Sequence, residues 1–138
     1  MPAIRRGGAH DLEAIAAIQA ASPEAAQWKP ADYLAHDLWV AAGESGVMGF
    51  LVARTVAGQE FEILNLAVAP QFRRQGVARA LFEALLQDHH GTFFLEVRES
   101  NRAAQMCYKS LGFQSVTCRR GYYEGPPEPA IVMKFHSC

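Results

Sequence analysis

The stretch that decides the fold is Asn65–Phe82, which reads NLAVAPQFRRQGVARALF. It opens with an apolar run that Pro70 stops, and it continues through a polar, basic loop. From Gly76 onward the apolar residues recur at the spacing of a helix, at Val77, Leu81, Leu85 and Leu86. The pattern therefore predicts a strand, a loop and a helix, in that order.

The predicted loop, Arg73–Ala78, lies at the N-terminus of the predicted helix. The first N–H groups of a helix have no intrahelical partner, and the helix dipole places partial positive charge there. Gly76 and Ala78 lack bulk, so an anion can approach the backbone closely. Arg73 and Arg74 add two guanidinium groups whose charge is fixed at any working pH. The stretch is therefore predicted to hold a phosphorylated ligand.

Composition narrows the class of protein. The chain has 138 residues, of which 50% are hydrophobic and 20% charged, so it is predicted to be one globular domain, residues 1–138. A net charge of -1 argues against direct nucleic-acid binding. No apolar run approaches a membrane span or a signal-peptide core, which predicts a cytoplasmic protein with no membrane partner. The sequence leaves the oligomeric state open, with a monomer favoured.

Metal binding is not predicted from the cysteines or histidines. The three cysteines, Cys107, Cys118 and Cys138, have no metal-ligand spacing and are interpreted as free or buried thiols. His89-His90 is interpreted as a solvated helix end, because no further ligand stands at a useful spacing.

Alternating apolar patterns and turn residues divide the rest of the chain into further elements. The predicted strands are Ala3–Arg6, Leu38–Ala42, Val47–Val56, Glu60–Val68, Thr92–Val97, Gln114–Arg119 and Ala130–His136. The predicted helices begin after His10-Asp11, at Ala31–His36, from Gly76 to about Asp88, and from Arg102 to about Leu111. Gly112 is expected to end the last helix, with Phe113 as the apolar contact beyond it. The order of the second half requires at least one parallel strand pair among antiparallel hairpins.

Two motifs in this setting resemble those of a known enzyme family. Arg73-x-x-Gly76-x-Ala78 follows a strand and opens a helix, and downstream stands Asn101-x-x-Ala104-x-x-x-Tyr108-x-x-x-Gly112-Phe113. Together they resemble the GNAT family of acetyl-coenzyme A-dependent N-acetyltransferases, whose pyrophosphate loop has the form (Arg/Gln)-x-x-Gly-x-(Gly/Ala). The resemblance implies an α/β (α+β) fold, with a mixed, mostly antiparallel central sheet of about six to seven strands flanked by about four helices.

Within that family the chain is most similar to the ribosomal-protein alanine N-acetyltransferases, the RimI type. The segments that carry this likeness are Ile63–Val68, Leu95–Arg98, Ser100-Asn101, Tyr108–Phe113 and Arg119–Tyr123. The C-terminal Lys134–Cys138 departs from the pattern of that type.

The resemblance implies acetyl-CoA as the co-substrate, with no metal, and assigns the residues that hold it. The backbone of Leu66, Ala67 and Val68 would lie along the pantetheine arm, and Asn101 would contact that arm by its side chain. The pyrophosphate would be held by the loop and helix start, formed by Arg73, Arg74, Gln75, Gly76, Val77, Ala78 and Arg79. Without the resemblance, a solvated basic loop is an even alternative for the two arginines.

Glu96 is the candidate general base. It interrupts an otherwise apolar strand (Phe93, Phe94, Leu95, Val97), where a carboxylate without a partner would be costly. An α-amino group has an unperturbed pKa of about 7.7–8.0, against about 10.4 for lysine, so a protein N-terminus gives up its proton to a carboxylate more readily. The alternatives are an outward-facing strand residue or a structural pair with Arg98.

Tyr108 is the candidate general acid for the departing thiolate. It stands seven positions after Asn101 on the same predicted helix, about two turns along, so both can share a face. The alternative is a core tyrosine whose hydroxyl reaches a backbone group.

Three functions follow from these interpretations. The leading one is direct acetyl transfer to the N-terminal alanine of a small-subunit ribosomal protein, with Trp28, Glu62 and Tyr122-Tyr123 lining the acceptor groove. The second is acetylation of a lysine side chain or a small-molecule amine. The third is a non-catalytic acetyl-CoA-binding regulatory module, against which the presence of both Glu96 and Tyr108 argues.

Overall fold

A computed structural model of the protein describes residues 2–22, 27–119 and 129–137. Its strands are β1 (Ala3–Arg6), β2 (Asp37–Gly43), β3 (Gly46–Ala57), β4 (Glu60–Val68), β5 (Thr92–Arg98), β6 (Gln114–Arg119) and β7 (Ala130–His136). Its α-helices are α1 (Leu12–Ala20), α2 (Val77–Asp88) and α3 (Arg102–Ser110). Short 3-10 helices cover Ala9–Asp11, Pro30–Ala35 and Pro70–Phe72.

The predicted elements are confirmed in place and type, with one difference of helix type. β1, β4, β6 and β7 have the predicted bounds, β5 is longer by one residue at its C-terminal end, and β2 and β3 are longer by one residue at each end. The helix predicted at Ala31–His36 is the 3-10 helix Pro30–Ala35, with Pro30 in its first turn. Six residues are too few for a stable run of α-helical hydrogen bonds, so this segment takes the tighter form.

The strands form a mixed sheet, as predicted, in the order β1-β2-β3-β4-β5-β7-β6. The pairs β1–β2, β2–β3, β5–β7 and β6–β7 are antiparallel. β4 and β5 are parallel, with Glu60 opposite Thr92, Phe61 opposite Phe93 and Glu62 opposite Phe94. This is the parallel pair that the strand–helix–strand order required.

The residue contacts divide the chain into two compact units. The first comprises Met1–Arg54 and Ile63–His89, and the second comprises Thr55–Glu62 and His90–Cys138. The interpretation of residues 1–138 as one domain stays a prediction.

The core of the first unit packs α1 and the Pro30–Ala35 helix against strands β2, β3 and β4. Its buried residues are Ile15, Ile18, Tyr33, Leu38, Val40, Phe50, Val52, Ala67 and Ala69. Glycine is required at position 49 of β3 because there is no room for a side chain, and not because of its backbone conformation. A Cβ atom at Gly49 would lie 2.9 Å from the carbonyl oxygen of Ala67 and 3.2 Å from Val77 Cγ1, so only glycine allows this close packing.

An ion pair between the exposed Arg5 and the buried Asp11 stabilises the start of the first unit. Both Nη atoms of Arg5 donate to the Asp11 carboxylate at 2.8 Å, and the Gly8 N–H donates to it at 2.9 Å. The hydrogen bond from Arg5 outweighs desolvation and lowers the pKa of Asp11 from 3.8 to about 2. The pair therefore fixes β1 to the turn that leads into α1.

A second charged cluster ties β1, β2 and the end of α2 together. Arg6 Nη1 donates to Asp37 at 3.1 Å, its Nη2 donates to Asp88, and its guanidinium lies 4.2 Å from the centroid of Trp39. His89 Nε2 is 3.0 Å from the other oxygen of Asp37. The interpretation of His89-His90 as a solvated helix end is therefore correct for the exposed His90 and wrong for His89, which lies half-buried against Asp37.

In the second unit, α3 ends in a Schellman motif, as predicted from Gly112 and Phe113. The Phe113 N–H donates to the Tyr108 carbonyl at 3.0 Å and the Gly112 N–H to the Lys109 carbonyl at 3.0 Å, with Gly112 at φ +106°. Phe113 then packs on Phe135 of β7, with the ring centroids 5.6 Å apart. The motif thus anchors the end of α3 to the aromatic core of its unit.

Three further observations bear on the class of protein. No helix among the described residues is long and apolar enough to cross a membrane. Residues 2–22, 27–119 and 129–137 contain no cluster of three or more metal-ligating side chains. Cys107 is half-buried and Cys118 exposed, both as free thiols, whereas Cys138 lies outside the described residues.

Candidate active site

The strand proposed to guide the cofactor arm, β4, alternates strictly between its two faces. Ala67 is buried in the core, while Leu66 and Val68 are half-buried on the opposite face. The Leu66 N–H donates a hydrogen bond to the side-chain oxygen of its own neighbour, Asn65 Oδ1, at 3.0 Å. The Val68 carbonyl accepts from Arg73 Nε at 3.1 Å. Leu66 and Val68 therefore share the face of β4 that lies opposite the core, and their predicted contact with a cofactor arm stays a prediction.

The loop that follows has two residues in the left-handed region. Arg74 has φ +63° and Gly76 has φ +80°. A non-glycine residue with positive φ, such as Arg74, is uncommon and costs energy. Where a left-handed residue adjoins a right-handed one, as Gly76 adjoins the helical Val77, successive N–H groups turn toward one point. Nothing lies within 4 Å of a Cβ atom built on Gly76, so the space beside its backbone is open. This concave backbone suits an anion such as a pyrophosphate.

The same loop opens α2. Gly76 is the N-cap, and the first hydrogen bond of the helix runs from the Ala80 N–H to the Gly76 carbonyl at 3.0 Å. The Val77 and Ala78 N–H groups precede that bond and have no intrahelical partner. Val77 buries its side chain at 2% exposure, while Gln75 and Arg79 are exposed and Ala78 is half-buried. The helix is thus held by Val77 while its N-terminus stays accessible.

Arg73 has a role that sequence reasoning missed. Its Nη2 donates to the hydroxyl of Ser22 at 2.8 Å, in addition to the bond from Nε to the Val68 carbonyl. Ser22 is buried and stands 51 positions earlier in the chain, so no local pattern signals this contact. The Arg73 guanidinium fastens the loop to the end of β4 and to the end of α1.

In the second unit, Glu96 lies in β5 on the half-buried face. Phe93, Leu95 and Val97 are buried, and Phe94, Glu96 and Arg98 alternate with them. Glu96 faces Val132 across the β5–β7 pair, and its Oε2 atom is shielded from solvent. The carboxylate is therefore neither in the apolar core nor on the fully exposed surface.

Asn101 and Tyr108 lie at the two ends of α3. Asn101 is its N-cap, and its Oδ1 accepts from the Ala104 N–H at 3.1 Å. The cap uses this oxygen, and the contact of the Asn101 side chain with a cofactor stays a prediction. Tyr108 is 9% exposed and packs edge-on against Phe113, so the core-tyrosine interpretation is right about its ring. The role of its hydroxyl stays a prediction.

Comparison with known proteins decides the family. Residues 35–115, which contain the loop, β5 and α3, match the acetyltransferase (GNAT) domain. The chain belongs to the GNAT family. The pyrophosphate role of the loop around Arg74 and Gly76 stays a prediction.

Two relatives and one solved structure are similar to the chain. It is 36% identical over 100 residues to the ribosomal protein bS18-alanine N-acetyltransferase of Haemophilus ducreyi, covering 67% of this chain and 68% of the relative. It is 41% identical over 96 residues to the enzyme of that name from Escherichia coli K12, covering 65% of each. The crystal structure of the ribosomal-protein-S18-alanine N-acetyltransferase from Escherichia coli superposes with a TM-score of 0.80 at 31% identity, covering 98% of this chain and 93% of that one.

Proposed function

We propose that this GNAT protein transfers the acetyl group of acetyl-CoA directly to the N-terminal alanine of a small-subunit ribosomal protein. The observation that carries the proposal is the similarity over 98% of the chain to a solved ribosomal-protein-S18-alanine N-acetyltransferase at 31% identity. Because ribosomal proteins are made in the cytoplasm, the proposal also places the enzyme there.

In the first unit, acetyl-CoA would be held by β4 and by the loop that opens α2. The positive φ of Arg74, the open space at Gly76 and the N-terminus of α2 support a pyrophosphate site at residues 73–79. The half-buried face of Leu66 and Val68 supports backbone contacts to the pantetheine arm. Acetyl-CoA supplies an activated thioester carbonyl, and the chain's own residues supply position and proton transfer.

Glu96 would act as the general base. Its carboxylate accepts a proton from the α-ammonium group of the acceptor, directly or through one water, which leaves a neutral amine able to attack the thioester carbonyl. Its half-buried place in β5 supports this role, because a partly desolvated carboxylate interacts more strongly with a cationic amine than an exposed one.

Tyr108 would act as the general acid. As the amine adds to the carbonyl carbon and the carbon–sulfur bond breaks, the coenzyme A thiolate takes the phenolic proton, and the proton that the nitrogen loses on becoming an amide restores the phenol. The buried, ring-packed position of Tyr108 supports this role, since it holds the hydroxyl in one orientation. Direct transfer needs no acyl-enzyme, so Cys107 has no part in the reaction.

The acceptor side rests on fewer observations. Trp28 is 47% exposed on the segment before the Pro30–Ala35 helix, and Glu62 is half-buried in β4. An aromatic and acidic lining suits a cationic N-terminus. Tyr122 and Tyr123, the other residues interpreted as lining this groove, lie outside the described residues.

A thiol-release assay with three acceptors tests the proposal. An alanine-starting peptide from the N-terminus of small-subunit ribosomal protein S18 is compared with an internal-lysine peptide and a polyamine, each with acetyl-CoA. We expect turnover of the alanine peptide well above the other two. Turnover of the lysine peptide or the polyamine alone would overturn the proposed acceptor, and release of no thiol with any of them would indicate a binding module.

A further inference from the structure

A group of buried polar side chains in the first unit connects β4 to the segment that carries Trp28. Gln19 of α1 donates from Nε2 to the Trp28 carbonyl at 2.6 Å, and its Oε1 accepts from the Tyr33 hydroxyl. Asn65 of β4 donates from Nδ2 to the Tyr33 hydroxyl at 3.0 Å and to Gln19 Oε1 at 3.3 Å. The side chains of Gln19, Tyr33 and Asn65 therefore connect α1, the Pro30–Ala35 helix and β4.

A second path joins the same elements through the cofactor loop. Arg73 connects the Val68 carbonyl to the Ser22 hydroxyl. Gln27 Nε2 then donates to the Ser22 carbonyl at 3.1 Å and to the Gln19 carbonyl at 3.2 Å. With the backbone of β4, these contacts close a circuit, here called the polar ring, formed by Gln19, Ser22, Gln27, Tyr33, Asn65 and Arg73.

The polar ring has one consistent donor and acceptor arrangement. Because Gln19 Nε2 faces a carbonyl, Gln19 Oε1 has to be the acceptor for both Tyr33 and Asn65. Tyr33, Asn65 and Gln19 are 1%, 5% and 6% exposed, so a lost partner leaves a buried polar atom unsatisfied. Burial also raises the pKa of Tyr33, which keeps its hydroxyl protonated as a donor. Such a network favours one discrete geometry rather than a continuum.

The polar ring contacts both the proposed cofactor site and the proposed acceptor segment of the first unit. Asn65 immediately precedes Leu66 and binds its N–H, and Arg73 opens the pyrophosphate loop. On the other side, the ring holds the backbone of Trp28, whose side chain is exposed, and Tyr33 in the middle of the Pro30–Ala35 helix.

We propose that the polar ring is a positioning device that couples the cofactor strand and loop to the acceptor segment 27–35. Gln19, Tyr33 and Asn65 are its positioning residues. Acetyl-CoA that orders Leu66–Val68 and the loop then orders segment 27–35 through the ring, and the acceptor amine meets a preformed surface. The acceptor and the cofactor site in this inference rest on the proposed function, whereas the polar ring itself rests on the contacts described above.

Hydrogen exchange of segment 27–35 with and without acetyl-CoA tests the coupling. Wild type is compared with Tyr33→Phe, which removes only the hydroxyl, and with Gln19→Met, which removes the tether to Trp28. Leu85→Val is the control, because Leu85 is fully buried in α2 of the same unit and is no member of the ring. We expect acetyl-CoA to slow exchange of 27–35 in wild type and Leu85→Val and to leave it nearly unchanged in both ring variants. Equal protection in all four proteins, or none in wild type, would overturn the inference.

Steady-state kinetics give a second test, because a purely structural role of the polar ring would not change the KM for the acceptor selectively. With the alanine peptide, Tyr33→Phe and Gln19→Met are expected to raise KM for the acceptor by about tenfold, within the usual range of coupling between sites. The Kd for acetyl-CoA should change far less, and Leu85→Val should change neither. An acceptor KM equal to that of wild type in both ring variants contradicts the inference. Absence of turnover by wild type would overturn the proposed acceptor instead, and the exchange experiment would still decide the coupling.

Discussion

The ring of Tyr108 meets the ring of Phe113 edge-on, with centroids 5.8 Å apart and planes inclined by 64°. The contact joins the two residues that the Schellman motif also joins through the backbone. The aromatic ring of Tyr108 is therefore part of the end of α3, and its hydroxyl can be removed without removing the contact. This separates the structural role of the side chain from its proposed chemical one.

Tyr108→Phe is accordingly expected to lower kcat by about 10²–10⁴, the usual value of a positioned general acid. The Kd for acetyl-CoA and the melting temperature should stay close to wild type, because the ring contact remains. Thiol release measures kcat, isothermal titration measures the Kd, and thermal denaturation measures the melting temperature. Phe113→Leu is the control: it disturbs the packing but keeps the hydroxyl, so it should lower stability by about 1–2 kcal/mol with a much smaller loss of kcat.

Glu96→Gln should lower kcat over a similar range, about 10²–10⁴, because an amide cannot accept the proton of the amine. Acetyl-CoA binding, followed by titration, should be unchanged. The matched control is Glu99→Gln, which makes the same chemical change three residues on at an exposed position. Turnover of Glu96→Gln at the wild-type rate would remove Glu96 from the mechanism.

Gly76→Ala and Gly46→Ala form a matched pair for the loop. Both glycines have positive φ, +80° and +106°, and neither has an atom within 4 Å of a built Cβ. Each substitution should cost about 1–2 kcal/mol of stability through backbone strain. Only Gly76→Ala should weaken acetyl-CoA binding. Its Kd should rise by about tenfold, because the loss of binding free energy should be similar to the loss of stability. Equal affinities would mean that the backbone of the loop does not bind the coenzyme.

A comparison of Arg73→Lys with Arg74→Lys separates the effect of the Arg73 hydrogen bonds from the effect of its positive charge. Lysine keeps the charge but cannot reproduce the two-point contact of Arg73 with Ser22 and the Val68 carbonyl. Arg73→Lys should therefore lower the free energy of unfolding by about 1–2 kcal/mol, and Arg74→Lys by less than about 0.5 kcal/mol. Urea denaturation measures both. Identical midpoints would show that Arg73 serves only as a positive charge.

Asp11→Asn tests the ion pair with Arg5 through pH. The folded pKa of Asp11, about 2, lies below its ordinary value of 3.8. The carboxylate thus stabilises the fold above pH 4, by about 2 kcal/mol, and this contribution is lost as pH falls toward 2. The difference in unfolding free energy between wild type and Asp11→Asn should be full at pH 7 and should shrink between pH 4 and pH 2. A difference independent of pH would contradict the ion-pair account.

Much of the fold could be predicted because its signals are local. The change from strand to helical spacing around Pro70 and Gly76 set β4 and α2, and Gly112-Phe113 set the end of α3. These residues act within one or two turns of their own position, so their effect is readable from sequence. The family resemblance rests on the same local segments.

What could not be predicted depends on contacts between distant residues. The bond from Arg73 to Ser22 spans 51 positions, and that between Asn65 and Gln19 spans 46. His89 was misread for the same reason, since Asp37 is 52 positions away. The positive φ of Arg74 also has no sequence signal, because arginine seldom takes that conformation.

Gly49 shows how cofactor affinity can be adjusted from outside the cofactor site. Any side chain there presses on the Ala67 carbonyl, Val68 and Val77, which all belong to the proposed cofactor set. The size of residue 49 therefore sets how closely β3 packs against the end of β4 and the start of α2. A substitution at position 49 would therefore change the affinity for the coenzyme while every residue of the signature motif stayed the same.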